Sequence, residues 1–233
     1  GAMKTAVKTG KKTVRKVRKT NVVVIPGYFT PKDIFLFQSA AHDRIQEKLG
    51  SHVVVHDGVA GTYFAVWAPS AEKVSVIGNF NAWDRESHQL HPREDHSGIW
   101  EGFITGIGHG TVYKYFIRSK YNGYQEEKAD PYTFFQECPP QTASVVYDLK
   151  YAWNDREWFE ARKKQDFTKQ PMSVYEVHLG SWKRNGHGPE GFYNYREMAE
   201  ALVPYVKEMG YTHVELMPLT EHPFYGSWGY QPL

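Results

Sequence analysis

Three kinds of side chain between Ser173 and Leu233 could do chemistry. Glu176, Glu215 and Glu221 lie in or near short apolar runs. Two carboxylates held astride a scissile bond would serve as general acid and base, or as acid and nucleophile. Nothing in the sequence sets two of them on opposite sides of one bond, so the expected role is structural, as buried or loop-fixing acids near strand ends. His178, His213 and His222 have no metal-ligand spacing with nearby Cys or acids. Packing or hydrogen bonding is expected of them, and no metal. Tyr230 follows Trp228 in the glycine-bearing loop Gly226–Gln231. A ring there can stack on a sugar or a base, or it can pack in a core; residue types alone leave both open.

The elements that must position these residues read strand, helix, strand, loop. Val174–Leu179 holds β-branched and aromatic residues and stops at Gly180. Met198, Leu202, Tyr205/Val206 and Met209 recur at helical spacing, and Gly210 stands where a C-cap belongs. Val214–Leu219 predicts a second short strand. The order makes one βαβ unit with a parallel sheet. Strands of that kind are written for burial on both faces and for flanking strands. As an expectation, the unit needs more chain than ends at Leu233, and its open edges are prone to aggregate.

The whole chain has 233 residues, 41% hydrophobic and 23% charged, within the range of a folded domain or two. Aromatics are abundant, with 7 Trp, 16 Tyr and 13 Phe. The single cysteine, Cys138, excludes an intrachain disulfide and fits a reducing compartment, so a cytoplasmic location is expected. No apolar run approaches membrane-spanning length, and no secretory signal is visible; no membrane partner is expected. Gly1-Ala2-Met3 reads as a protease scar before a start at Met3. The net charge of +2 hides an asymmetry: residues 1–20 hold eight Lys/Arg and no acid, which leaves the rest at net −6. Such a block can bind nucleic acid or a membrane surface. Without aromatics, and ahead of an acidic body, it reads as a solvated tail, and no nucleic-acid partner is expected.

Upstream, Val22–Ile25 predicts a short extended segment. Thr30-Pro31-Lys32-Asp33 supplies a capping hydroxyl, a proline at the first helical position and an acid three residues after the cap. Ile34, Phe37, Ala41 and Ile45 then share a face up to Gly50, predicting a leader helix docked on a neighbouring domain. From residue 51 to about 150 the period changes to two. Ser51–His56, Gly61–Ala68, Lys73–Gly78, Gly98–Thr105, Val112–Ser119 and Ala143–Tyr147 are the expected strands, with turn signals between them. That spacing predicts an immunoglobulin-like β-sandwich. Trp153–Gln170 is charged and partly helical, with Trp153, Trp158 and Phe159 as anchors between domains, and Pro171 ends it. The expected division is therefore a tail over 1–20, a leader over 21–50, a sandwich over 51–150, a linker helix over 151–170 and a β/α segment from 171.

Two strings resemble known families. Phe64-Ala65-Val66-Trp67-Ala68-Pro69-Ser70-Ala71, followed by Val74–Asp84 (VSVIGNFNAWD), resembles the family-48 carbohydrate-binding module. Tyr175–Trp182 (YEVHLGSW), Val214–Pro223 (VELMPLTEHP) and Gly226–Pro232 (GSWGYQP) resemble the opening of 1,4-α-glucan (glycogen) branching enzymes of the α-amylase clan. The resemblance runs from about Phe29 to Leu233. Gly180-Ser181-Trp182 favours branching enzymes over trehalohydrolase and debranching relatives. It implies a multidomain chain: a carbohydrate-binding sandwich, then the first β/α unit of a (β/α)₈ TIM barrel truncated at Leu233. It implies cleavage of an α-1,4-glucan (glycogen, amylose or starch) by a retaining double displacement, and transfer to a 6-hydroxyl, by a monomer needing no cofactor. The catalytic carboxylates of that family lie on later strands, so none falls in these residues.

Residue by residue, Tyr230 matches the family tyrosine that lines the subsite of the sugar being cleaved, with Trp228 and Gln231 as substrate-binding neighbours. Trp83 and Lys114 match positions that hold glucan in related modules, Trp83 by stacking and Lys114 by hydrogen bonds; plain turn packing is the other reading of Trp83. Around Glu127 the sequence departs from the pattern, since related modules have a second tryptophan shortly before Asp-Pro. A stand-alone glucan-binding or regulatory module without catalysis is the rival reading.

Overall fold

The computed structural model describes residues 22–184, 186, 191–220, 222 and 224–232. The basic segment 1–20 and Glu221 lie outside them. The chain divides into one unit ending at Tyr151 and a second beginning at Ala152.

Among the described residues, ten strands build the first unit: β1 (Val22–Val23), β2 (Gly50–His56), β3 (Val59–Trp67), β4 (Ala71–Gly78), β5 (His91–Pro92), β6 (Ile99–Thr105), β7 (Val112–Ser119), β8 (Gln125–Lys128), β9 (Phe135–Gln136) and β10 (Ser144–Val145). They form two antiparallel sheets. One runs β1-β6-β3-β2, with β5 beside β6; the other runs β4-β7-β10-β9, with β8 beside β7. Alternation along β3 and β6 turns Phe64, Val66, Trp100 and Ile104 toward Val74, Val76, Tyr113 and Tyr115 of the second sheet, and these make the inner core. The outer face of the first sheet is also buried. Tyr63, Ala65, Ile99 and Phe103 pack under Phe29, Ile34 and Leu49 of the leader. Each large apolar side chain so enclosed contributes about 1.5–3 kcal/mol.

The leader is therefore part of the sandwich unit: it covers a sheet face, and β1 pairs with β6. Its helix α1 spans Pro31–Gln38 and carries the expected capping box. The helix predicted to run on until Gly50 stops it is a correction. The Ser39 hydroxyl donates to the Phe35 carbonyl at 2.8 Å, and Ala40 turns to φ 54°, which ends the helix. Ile45 still reaches the same cluster from a short 3₁₀ turn. Strand expectations also change. Ala143–Tyr147 shortens to β10, and the short strands β5 and β9 and the polar edge strand β8 were not expected.

Polar groups inside the sandwich converge on Asp130, 1% exposed. It accepts from the Tyr113 and Tyr115 hydroxyls at 2.6 and 3.0 Å and from the Tyr132 amide at 2.8 Å. Its own amide donates to Ser144 Oγ at 2.8 Å. Burial pushes the Asp130 carboxyl up, and the donors oppose that rise.

The second unit contains helix α2 (Arg156–Lys163), strand β11 (Val174–Val177), the single turn α3 (Leu179–Trp182), helix α4 (Tyr195–Glu208) and strand β12 (His213–Leu216). β11 and β12 pair in parallel, Val174 opposite His213 through Val177 opposite Leu216. Asn194 caps α4 by accepting from the Arg196 and Glu197 amides at 3.0 Å, while Glu197 returns a bond to the Asn194 amide. At the other end, the Tyr211 and Gly210 amides donate to the Val206 and Lys207 carbonyls, the Schellman pattern. Met198, Leu202 and Val206 are buried as predicted, whereas Met209 is 57% exposed. Val174, Val214 and Leu216 are 44%, 39% and 43% exposed, so this pair of apolar strands is only partly covered.

Two outcomes follow. Asp130→Ala leaves two buried tyrosine hydroxyls without their acceptor and is expected to cost about 2–4 kcal/mol in urea unfolding; an unchanged midpoint would refute the hub. Bonds from the Thr30 amide and hydroxyl, with His42 and Lys48 beside it, hold the Asp33 carboxyl down to about 2 against the opposing push of burial. A depressed pKa means stabilisation present above the ordinary value of 3.8 and lost as pH falls toward 2. The stability gap between wild type and Asp33→Asn is thus expected to narrow between pH 4 and pH 2; a gap constant over that window would refute it.

Candidate functional site

Trp83 is delivered by the turn that follows β4. Gly78 is required there, because a Cβ would collide with the Val112 carbonyl oxygen. Asn81 organises the turn. Its Oδ1 accepts from the Gly78 amide at 3.0 Å, and its Nδ2 donates to the Val76 carbonyl and to Ser87 Oγ, each at 3.0 Å. Ala82 and Trp83 both take left-handed backbone, at φ 52° and 59°. The Trp83 amide donates to the Gly78 carbonyl at 2.9 Å, and its indole N–H to Asn79 Oδ1 at 2.9 Å. The half-buried ring is thus fixed at both ends.

Lys114 stands on β7 between the inward tyrosines 113 and 115, so it faces outward. The register sets it opposite Ile77, one residue from Gly78. Trp83 and Lys114 therefore share one end of β4. Lys114 Nζ donates to Thr142 Oγ1 at 2.8 Å. Glu127 lies on β8 opposite Phe116. Arg85 bonds the Glu127 carboxylate at 2.7 and 2.9 Å, and its guanidinium sits 5.0 Å from the centre of the Phe116 ring. An ion pair over a buried ring thus stands at the departure from the family pattern. Sequence reasoning missed Arg85, Phe116 and Thr142; the pairing of β7 with β8 is what sets Phe116 beside Glu127, the partner of Arg85.

The second unit holds a cleft of about 610 Å³. Its walls are segments that follow the C-terminal ends of β11 and β12, the end at which open parallel sheets place ligands. His178 and Ser181 come from the first segment; Leu219, His222, Tyr225 and Trp228 come from the second. Phe192 and Tyr195 close the side at the start of α4. Gly229 seats the loop, since a Cβ there would strike the Pro218 carbonyl oxygen. The Trp228 ring lies 5.9 Å from His178, and the Tyr195 hydroxyl donates to the Leu219 carbonyl at 3.1 Å. Of the three expected substrate contacts, Trp228 lines the cleft; Tyr230, 63% exposed, and Gln231 do not.

The histidines take the hydrogen-bonding roles expected of them. His178 pairs with Ser181 Oγ at 2.8 Å, His213 with Thr212 Oγ1 at 2.8 Å, and His222 with the Thr220 carbonyl at 2.9 Å. Glu176 and Glu215 are register partners in mid-strand, both exposed and outside the cleft wall. No carboxylate lines the cleft among the described residues.

Comparison with known proteins connects these features. Residues 48–133 match the model of carbohydrate-binding module 48, the isoamylase N-terminal domain. That stretch of the sandwich unit is similar to a family-48 carbohydrate-binding module. It is 54% identical over 202 residues to the 1,4-alpha-glucan branching enzyme GlgB of Gloeobacter violaceus, and 52% identical over 199 residues to that of Aquifex aeolicus. These matches take in 86% and 85% of the chain but 27% and 31% of those enzymes, and lie in their N-terminal part. A pullulanase from Bacillus acidopullulyticus shares the fold over 79% of the chain and 24% of its own, with TM-score 0.52 and 20% identity.

Proposed function

We propose that these residues are the N-terminal portion of a glycogen branching enzyme. The parent cleaves an α-1,4-glucan by a retaining double displacement and transfers the freed chain to a 6-hydroxyl, making an α-1,6 branch. One observation carries the reading. The similarity does not stop at the end of the sandwich unit, Tyr151; at 54% identity it takes in 86% of the chain. A binding module attached to an unrelated partner would lose the match there.

In this reading the family-48 module holds glucan at the Trp83–Lys114 corner. Its ring stacks on a sugar face, and the ammonium, already hydrogen-bonded to Thr142, donates to sugar hydroxyls. β11, α4 and β12 are the first β/α unit of a (β/α)₈ barrel. The cleft after their strands is one wall of the substrate site, with Trp228 in it and Tyr230 and Gln231 contributing from the loop beyond. Glycosidic cleavage by the usual route needs two carboxylates. The described wall supplies aromatic, histidine and arginine side chains but no such pair. In this reading residues 1–233 bind glucan and leave its cleavage to groups elsewhere in the parent.

The same protein tests both halves. Incubated with amylose, it is expected to leave the number of isoamylase-sensitive branch points unchanged; an increase would overturn the placement of the catalytic groups. In affinity electrophoresis through glycogen it is expected to be retarded, and Trp83→Ala or Lys114→Ala to weaken that retardation severalfold. Wild-type migration unaffected by glycogen would remove the glucan-binding reading.

A further inference from the structure

A second concave surface of the sandwich unit has the chemistry of a sugar site. It is a groove of about 430 Å³, within the ~300–1,000 Å³ of small-ligand clefts. Its walls come from three separate places: Gln46 and Glu47 before β2, Ser51–Val53 on β2, and Phe134 with Tyr147–Leu149 at the β9–β10 edge. None of them belongs to the Trp83–Lys114 corner.

Aromatic surface comes first. Phe134 packs edge-on against His52 at 5.6 Å. Tyr147, 37% exposed, lies nearly parallel to Phe135 at 5.3 Å, with His109 at its edge at 4.8 Å. Its orientation is thereby set. Polar groups surround these rings. Burial pushes the His52 imidazole down, and its Nε2–H donates to the Leu49 carbonyl at 2.9 Å. Ser51 is 1% exposed, and its hydroxyl turns inward to the Tyr113 hydroxyl, so it closes the groove floor without offering a free group to a ligand.

Charge then narrows the ligand. Glu47 is bound by Arg44 through two bonds of 2.5 and 2.8 Å, and Asp148 pairs with Lys150. Each carboxylate keeps acceptor capacity, but each is neutralised on site. A groove with rings, an amide, carboxylate acceptors and balanced charge suits a neutral polyhydroxyl ligand rather than an ion.

We propose that this groove is a second glucan-contact site, which takes a short α-1,4-linked oligosaccharide independently of the Trp83–Lys114 corner. The proposal rests on the glucan reading of the module. Two contact sites on one module would hold two chains, or two parts of one chain.

Maltoheptaose titration of the ¹⁵N-labelled 233-residue protein, followed by NMR, separates the outcomes. Amide shifts are expected in two groups, around residues 79–84 and 114, and around 46–53 and 134–149. In Trp83→Ala the first group is expected to be lost and the second to persist. Phe134→Ala and Tyr147→Ala are expected to weaken the second at least threefold while leaving the first intact; an unchanged thermal midpoint shows that the variants are folded. Shifts confined to the first group overturn the second site and leave the glucan reading standing. No shifts anywhere in wild type overturn both.

Discussion

Two tyrosines that are neighbours but one on β7 donate to a single carboxylate, Asp130, which burial removes from water. The rest of the sandwich depends on that arrangement. With Tyr113 and Tyr115 committed inward, the residue between them must face out, and that residue is Lys114. The Asp130 amide also holds Ser144, so β10 is fixed against β7, and with it the segment that carries Thr142 to the Lys114 ammonium. A one-residue slip of β7 would turn Lys114 into the core and a tyrosine out to solvent. The polar centre of the fold and the direction of its binding residue are thus one constraint.

The strands of the sandwich were legible where alternation was strong. β2, β3, β4, β6 and β7 each fall within two residues of their predicted ends. What the pattern hid has specific causes. β8 reads Gln-Glu-Glu-Lys, which carries no apolar signal, because its burial is minimal and its place is set by pairing with β7. The leader helix overran because Ala41 and Ile45 keep the helical spacing, while the break rests on one serine hydroxyl and one left-handed alanine. Double-sided burial of the first sheet was invisible as well, since nothing local in β3 announces that the leader will cover its outer face.

The site residues divide along similar lines. Trp83, Lys114, Trp228, Tyr230 and Gln231 came from motif resemblance, and the structure supplies what resemblance lacks. Asn79 and Asn81 fix Trp83, Arg85 and Glu127 lie over Phe116, and Trp228 rather than Tyr230 faces the cleft. Phe192 and Tyr195 were unreadable as cleft residues because they reach it from the start of α4, across the sheet end from the motifs. The half-exposed faces of Val174, Val214 and Leu216 accord with strands whose composition is that of a sheet interior.

The double tether of Trp83 bears on the thermodynamics of capture. An exposed side chain must give up rotational freedom when a ligand lands on it, at a cost of about 0.5–1.5 kcal/mol. Here the backbone bond to Gly78 and the indole bond to Asn79 have already frozen the ring during folding. Association at this corner then carries little entropic penalty on the protein side, and a ring presented in advance can meet successive faces of a flexible polymer without rearranging for each.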